Sequence, residues 1–115
     1  MNDTSEGQFS PALVDEALTF VQMYPDSRLV PGALLIAART LARGGSQPEA
    51  ASHLAVIVIA WPENPRWTVA ALELGQLYAE DLGDDIRAEI VFRALIERYP
   101  ESQEAGRARE LLETL

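Results

Sequence analysis

A four-residue segment, an aromatic residue followed by proline, an acid and a small polar residue, recurs three times in this chain of 115 residues. The copies are Tyr24-Pro25-Asp26-Ser27, Trp61-Pro62-Glu63-Asn64 and Tyr99-Pro100-Glu101-Ser102. Their prolines lie 37 and then 38 residues apart. Because the residue before a proline is disfavoured in the α region, each copy is expected to end a helix. Helix ends at such a regular interval indicate an array of similar helical units.

Between these segments, apolar residues recur with helical spacing, and six helices are predicted. Their predicted starts are capping residues or prolines that suit the first helical turn: Ser10-Pro11, Pro31, Pro48, Pro65 or Arg66, Asp84 or Asp85, and Ser102. We expect residues 1–9 to be frayed or disordered and residues 10–115 to form one all-α domain. The apolar content of 48% is too high for a disordered chain.

The predicted helices alternate between two types. In the helices that precede the proline segments, equivalent positions hold Ala17, Leu54 and Phe92, and likewise Phe20, Ile57 and Leu95. In the other type we align Ile36-Ala37 with Leu74-Gly75 and Leu111-Leu112. Glycine inside a helix costs about 1 kcal/mol relative to alanine. Gly75 therefore predicts that another helix passes too close for a Cβ atom. Gly83 is predicted to end the same helix.

Residues 69–102 contain the most complete unit. Its marked positions are Leu74, Gly75, Tyr78, Ala88, Phe92 and Pro100. In type and order they resemble the tetratricopeptide-repeat consensus, with one extra residue in the turn and Ala71 where an aromatic is usual. The unit before it departs further, with Ala37 for glycine and Thr40 for tyrosine. The aromatic-proline segments are similar to those of tetratricopeptide domains in bacterial envelope proteins.

The resemblance implies a superhelix of antiparallel helix pairs that binds other proteins and is not an enzyme. In the family, the first helix of each pair lines a concave groove that takes a peptide or a helix. Carried over by position, the groove residues are Leu34, Ala38, Leu41, Leu72, Gln76, Glu80, Arg109 and Glu113. Leu34 and Leu41 also suit a core, and both interpretations stay open.

Two further predictions concern association. Trp67 has no counterpart in the other repeats, so we expect it to be exposed and to contact a partner. Neither end of the array has an obvious polar capping helix, and apolar ends favour association. The alternative function is therefore homo-oligomerisation, with the groove or the end helices paired with a second copy, as in a homodimer.

Other functions find little support in the sequence. The single histidine, His53, and the absence of cysteine argue against a metal site or a catalytic triad, and no cofactor is expected. The acids around residues 80–89 are interpreted as a solvated turn. A net charge of −9 argues against nucleic-acid binding. No apolar run reaches 18 residues, so we expect no membrane insertion. We expect a cytoplasmic or periplasmic module of a larger bacterial protein, which could be attached to a membrane.

Overall fold

The computed structural model describes residues 10–115, so the predicted frayed segment 1–9 lies outside the described part. The helices are α1 (Pro11–Met23), α2 (Val30–Arg43), α3 (Gln47–Ala60), α4 (Trp67–Gln76), α5 (Asp85–Arg98) and α6 (Gln103–Leu112). A π-helical turn, Leu77–Asp81, continues α4. Residues 10–115 contain no strand, and the predicted all-α fold of about six helices is confirmed.

Each helix packs against the next in the chain, and α4 also packs against α6. We name α2 and α3 the first repeat and α4 with α5 the second repeat. Small residues occupy the closest helix contacts: Ala37, Ala50, Ala70, Ala71, Ala88, Ala105 and Ala108 are fully buried. The largest fully buried side chains are Phe92, Leu54, Ile57, Leu95 and Pro31. This combination brings helix backbones close together while the larger side chains interlock between them.

The three proline segments have the same backbone geometry. Tyr24, Trp61 and Tyr99 have φ between −128° and −133° and ψ between 53° and 64°. Each donates its N–H to a carbonyl four residues earlier, at 2.9–3.0 Å, and each accepts a hydrogen bond from the residue three positions later, at 3.1 Å. The repeat seen in the sequence is therefore a repeat of backbone conformation.

The two repeats differ by one residue, which lies inside a helix. Val30 and Trp67 begin α2 and α4 and are 37 residues apart. The connection to the next helix is three residues long in both repeats. The extra residue is absorbed by the π turn, where the N–H of Leu82 donates to the carbonyl of Leu77, five residues earlier, at 2.9 Å. The prediction that it lies in the connecting turn is wrong.

This position of the extra residue corrects the alignment of the repeats. Buried Ala37 and Ala38 occupy the places of Leu74 and Gly75. Ile36, which the sequence alignment matched to Leu74, is instead 47% exposed. One residue of slip rotates a helical position by about 100°, which is enough to move a side chain from the core to the surface.

The predicted roles of Gly75 and Gly83 are confirmed. A Cβ atom at Gly75 would lie 2.7 Å from Cδ1 and 2.8 Å from Cζ of Phe92, closer than carbon atoms can approach. Gly83 follows the π turn with φ of 63°, a conformation that glycine adopts without strain. Asp84 then caps the start of α5, where its Oδ1 accepts a hydrogen bond from the N–H of Arg87 at 3.0 Å.

The two ends of the described array differ in polarity. Helix α6 turns Ala105 and Ala108 inward, and its outer face carries an Arg107–Glu110 ion pair at 3.0 Å. The expectation that neither end has a polar capping helix is therefore wrong for α6. At the other end, α1 exposes Met23 and Tyr24, at 63% and 53%.

Candidate functional site

Three of the predicted groove residues belong to the core. Leu34, Ala38 and Leu41 are buried, with less than a tenth of their surface exposed. They lie on the faces of α2 that pack against α1 and α3. The alternative that Leu34 and Leu41 are core residues therefore holds. Ala38, although buried, borders the cleft that Gln76 and Glu80 line.

Trp67 is also buried, at 3% exposure, which overturns the prediction of an exposed aromatic. Its indole N–H donates to the carbonyl of Val58 at 3.0 Å. Its ring lies 5.4 Å from that of Tyr99, and the Arg98 guanidinium lies 5.9 Å from the ring centre. Trp67 thus holds the start of α4 against the end of α3 and the third proline segment.

The remaining predicted residues lie nearer the surface, but they are not all together. Gln76 and Glu80 line a cleft of about 230 Å³ between α2 and the π turn. Leu72 is half-buried on α4 outside that lining. Arg109 is exposed on α6, where its guanidinium donates to the carbonyl of Pro100 at 3.0 Å, and Glu113 is exposed after it. Their role in binding stays a prediction.

A largely apolar surface on the side of α2 and α4 was missed by the sequence prediction. A depression of about 430 Å³ is lined by Phe20, Leu29, Gly32, Ala33, Leu35, Ile36, Arg39 and Arg66. We call it the α2 groove. Leu29 and Ile36 are 64% and 47% exposed, so large aliphatic side chains face solvent within it. Helical spacing places Ile36 one turn from Arg39, on the same face of α2.

The charged residues of the α2 groove are both arginines. Arg39 of α2 forms a two-pronged ion pair with Glu73 of α4, with Nη2 at 2.5 Å and Nε at 3.1 Å from Oε2. The hydrogen bond with Glu73 raises the pKa of Arg39, which stays charged. The Arg66 side chain lies over Gly32 and forms no ion pair within residues 10–115.

The sequence around α2 makes this surface locally basic. Residues 28–47 contain three arginines and no acid, although the whole chain carries a net charge of −9. Over residues 84–115, every arginine is instead paired with an acid or hydrogen-bonded to a carbonyl. The α2 groove therefore combines apolar side chains with two arginines, of which Arg39 is paired with Glu73 and Arg66 has no acid partner within residues 10–115.

A second apolar surface lies between the second helices of the two repeats. Ile59 of α3 and Ile90 of α5 line a depression of about 300 Å³. Ile59 is 80% exposed, and Ile86 lies one turn before Ile90. We call this surface the α3–α5 face. Its neighbouring acids Asp84 and Glu89 are paired with arginines on α5, so it has less uncompensated charge than the α2 groove.

The comparison with known families matches the second repeat. Residues 69–102 match the family model described as tetratricopeptide repeat. This stretch is similar to a tetratricopeptide repeat. No curated protein matches the chain. The matched residues cover most of α4, the π turn and α5, so the family resemblance predicted from Leu74, Gly75 and Phe92 is confirmed. The tetratricopeptide repeat is typically a non-catalytic unit of protein–protein interaction.

Three other features of the described residues bear on function. Within residues 10–115, no group of three or more histidine or acidic side chains is placed to hold a metal ion. The acids of the predicted solvated turn include Asp84, whose pKa is lowered by the hydrogen bond from the backbone N–H of Arg87 and by the Arg87 side chain. None of the helices in this range has the length and apolar character needed to cross a membrane.

Proposed function

We propose that the chain is a non-enzymatic protein-interaction module whose α2 groove binds an acidic segment of a partner protein. The observation that carries the proposal is the exposure of Leu29 and Ile36 between Arg39 and Arg66. Scattered surface leucines are ordinary, but two large aliphatic side chains in one depression with charge of a single sign favour a defined ligand.

The chemistry of the groove describes the ligand. Apolar side chains of the partner would cover Leu29 and Ile36, and its acids would lie beside Arg39 and Arg66. An amphipathic helix that carries acids along the edge of its apolar face meets both requirements. The charges would contribute mainly to selectivity and to the rate of association, and the apolar contacts to the lifetime of the complex.

The experiment is selection from a library of helical peptides that vary in apolar pattern and charge. We expect the wild-type chain to enrich peptides with acids beside an apolar face. Ile36→Glu should lower the affinity of the selected peptides at least about tenfold, because it places an acid in the apolar centre.

The matched control is Ile59→Glu on the α3–α5 face, which introduces the same charge at a more exposed isoleucine. It should leave the affinity unchanged. Loss of binding with Ile59→Glu but not with Ile36→Glu would refute the α2 groove as the site and assign binding to the α3–α5 face. We also propose, as expected from the sequence, that the chain is a module of a larger bacterial protein.

A further inference from the structure

The α2 groove adjoins a second depression of opposite charge. This depression, of about 410 Å³ on α1, is lined by Asp15, Glu16, Thr19, Phe20, Met23 and Tyr24. We call it the α1 face. Its only charged residues are acids, whereas those of the α2 groove are arginines. Phe20 lines both, so the two depressions form one surface that runs from acidic through apolar to basic.

The repeat explains why α1 exposes apolar residues. Position by position, Leu13 and Phe20 of α1 correspond to Ala50 and Ile57 of α3. The latter two are fully buried, because α3 is packed against both α2 and α4. Within residues 10–115, α2 is the helix against which α1 packs extensively. The other side of α1 is therefore not covered by a second helix in the way that α3 is.

We propose that a second copy of this chain covers this surface, with the α1 face of each copy lying on the α2 groove of the other. The inference rests on the proposed function, because it uses the same groove. A surface that is acidic at one end and basic at the other is complementary to itself when it is turned about a two-fold axis.

The α1 face has the composition proposed for the ligand. Met23 and Tyr24 supply exposed apolar surface, and Asp15 and Glu16 supply acids on the same helix. Under the two-fold rotation, these acids lie beside Arg39 and Arg66 of the second copy. The axis passes near Phe20, whose ring is 5.2 Å from that of Tyr24, so that aromatic side chains from both copies meet at the centre.

Charge reversal tests this arrangement without relying on loss of structure. Light scattering of the wild-type chain should give twice the 12.6 kDa of one copy, with dissociation on dilution. Glu16→Arg and Arg66→Glu should each weaken self-association at least about tenfold, because each places like charges together at both junctions of the dimer. Mixing the two variants should restore dimers, since both junctions of the mixed pair then join opposite charges.

Cross-linking locates the axis. The chain contains no cysteine, so a single introduced thiol reports only its own surroundings. Thr19→Cys, beside Phe20, should form a disulfide between copies under mild oxidation in proportion to the dimer present. Glu97→Cys, exposed on α5, is the control and should remain reduced.

The outcomes separate this inference from the proposed function. A single-copy mass at every concentration, or a mixture that remains monomeric, would overturn the self-association. If the monomer still selects acidic peptides through Ile36, the proposed function stands without it. If the dimers survive each charge reversal and the chain selects no acidic peptides, the proposed dimer arrangement and the proposed function are both refuted.

Discussion

The first and second repeats share a fold but have different surfaces. In the second repeat, the outward side of α4 carries the half-buried Glu73 and Gln76. In the corrected alignment, the equivalent positions of α2 are Ile36 and Arg39. The first repeat thus presents an apolar and basic surface where the second presents a polar and acidic one. The family model matches the second.

The contrast shows which positions a repeat consensus records. Leu74, Gly75, Ala88 and Phe92 are all buried where helices meet. A consensus of such positions identifies the packing of the repeat and is silent about what its exposed side binds. In this molecule, the repeat that departs further from the consensus carries the surface better suited to a partner.

The largest expected difference between the repeats lies in the pair formed by Gly75 and Phe92. The corresponding residues of the first repeat are Ala38, which is larger than Gly75, and Leu54, which is smaller than Phe92. Gly75→Ala should lower the free energy of unfolding by about 1–3 kcal/mol, because the new methyl group overlaps the Phe92 ring. Adding Phe92→Leu reproduces the first repeat's pair and should recover much of that loss. Urea denaturation followed by circular dichroism measures both.

Ala38→Gly in the first repeat is the matched control. It should also lower the free energy of unfolding, by about 1 kcal/mol, because glycine has a lower helix propensity than alanine. Since no steric overlap is involved, adding Leu54→Val should not restore the lost stability. Equal stability of Gly75→Ala and the wild type would show that the ring moves aside and that the glycine is not required for packing.

Most of the fold could be predicted because its signals are local. The proline segments end α1, α3 and α5. The side chains of Ser10, Asp84 and Ser102 cap helices by accepting the backbone N–H of the residue three positions later. The clash at Gly75 could also be predicted, since an interior glycine has an energetic cost that only close packing explains. These inferences need no knowledge of how the repeats are stacked.

The candidate site could not be predicted by aligning repeats, because the alignment was wrong by one residue. A π turn leaves no obvious signal in the sequence, and the extra residue was assigned to a loop. The prediction consequently named Ala38, a buried residue, as the groove position equivalent to Gln76. The corrected alignment gives Arg39, which lies at the surface. A signal was available in α2 itself. Arg39 and Arg43 are one turn apart and mark its solvent side, which places Ile36 beside them.

A smaller difference concerns the aromatic residue of the proline segments. Tyr99 donates its hydroxyl to the carbonyl of Pro62 at 2.6 Å, which joins the third segment to the second. Tyr99→Phe should lower the free energy of unfolding by about 1 kcal/mol, because the carbonyl loses its donor. Tyr24→Phe is the control. Tyr24 is exposed and its hydroxyl forms no hydrogen bond within residues 10–115, so its replacement should change little. Equal effects in thermal unfolding would contradict this difference.

The start of the second helix also distinguishes the repeats. Asp84 accepts the N–H of Arg87, whereas Ser46 before α3 forms no capping hydrogen bond through its side chain. Asp84→Ala should lower the unfolding temperature at neutral pH more than Ser46→Ala. The folded-state pKa of Asp84 lies below its ordinary value of 3.8. Its stabilisation is therefore complete above that value and disappears as the pH falls through the lower folded pKa. A difference between Asp84→Ala and wild type that persisted unchanged in strong acid would refute this origin.

The smallest expected effect on stability, and the sharpest test of the surface contrast, is at the ion pair that joins the repeats. Glu73 of the second repeat forms the ion pair with Arg39 of the first, and both side chains are partly exposed. Glu73→Gln should change the free energy of unfolding by less than about 1 kcal/mol, since exposed ion pairs contribute little. The same variant should raise the affinity for acidic peptides a few-fold, because Arg39 no longer has a competing carboxylate, and Arg39→Gln should lower it. Both affinities can be measured by calorimetry. If Glu73→Gln instead weakened binding, Glu73 would be needed to hold Arg39 in position, and the ion pair would belong to the binding surface itself.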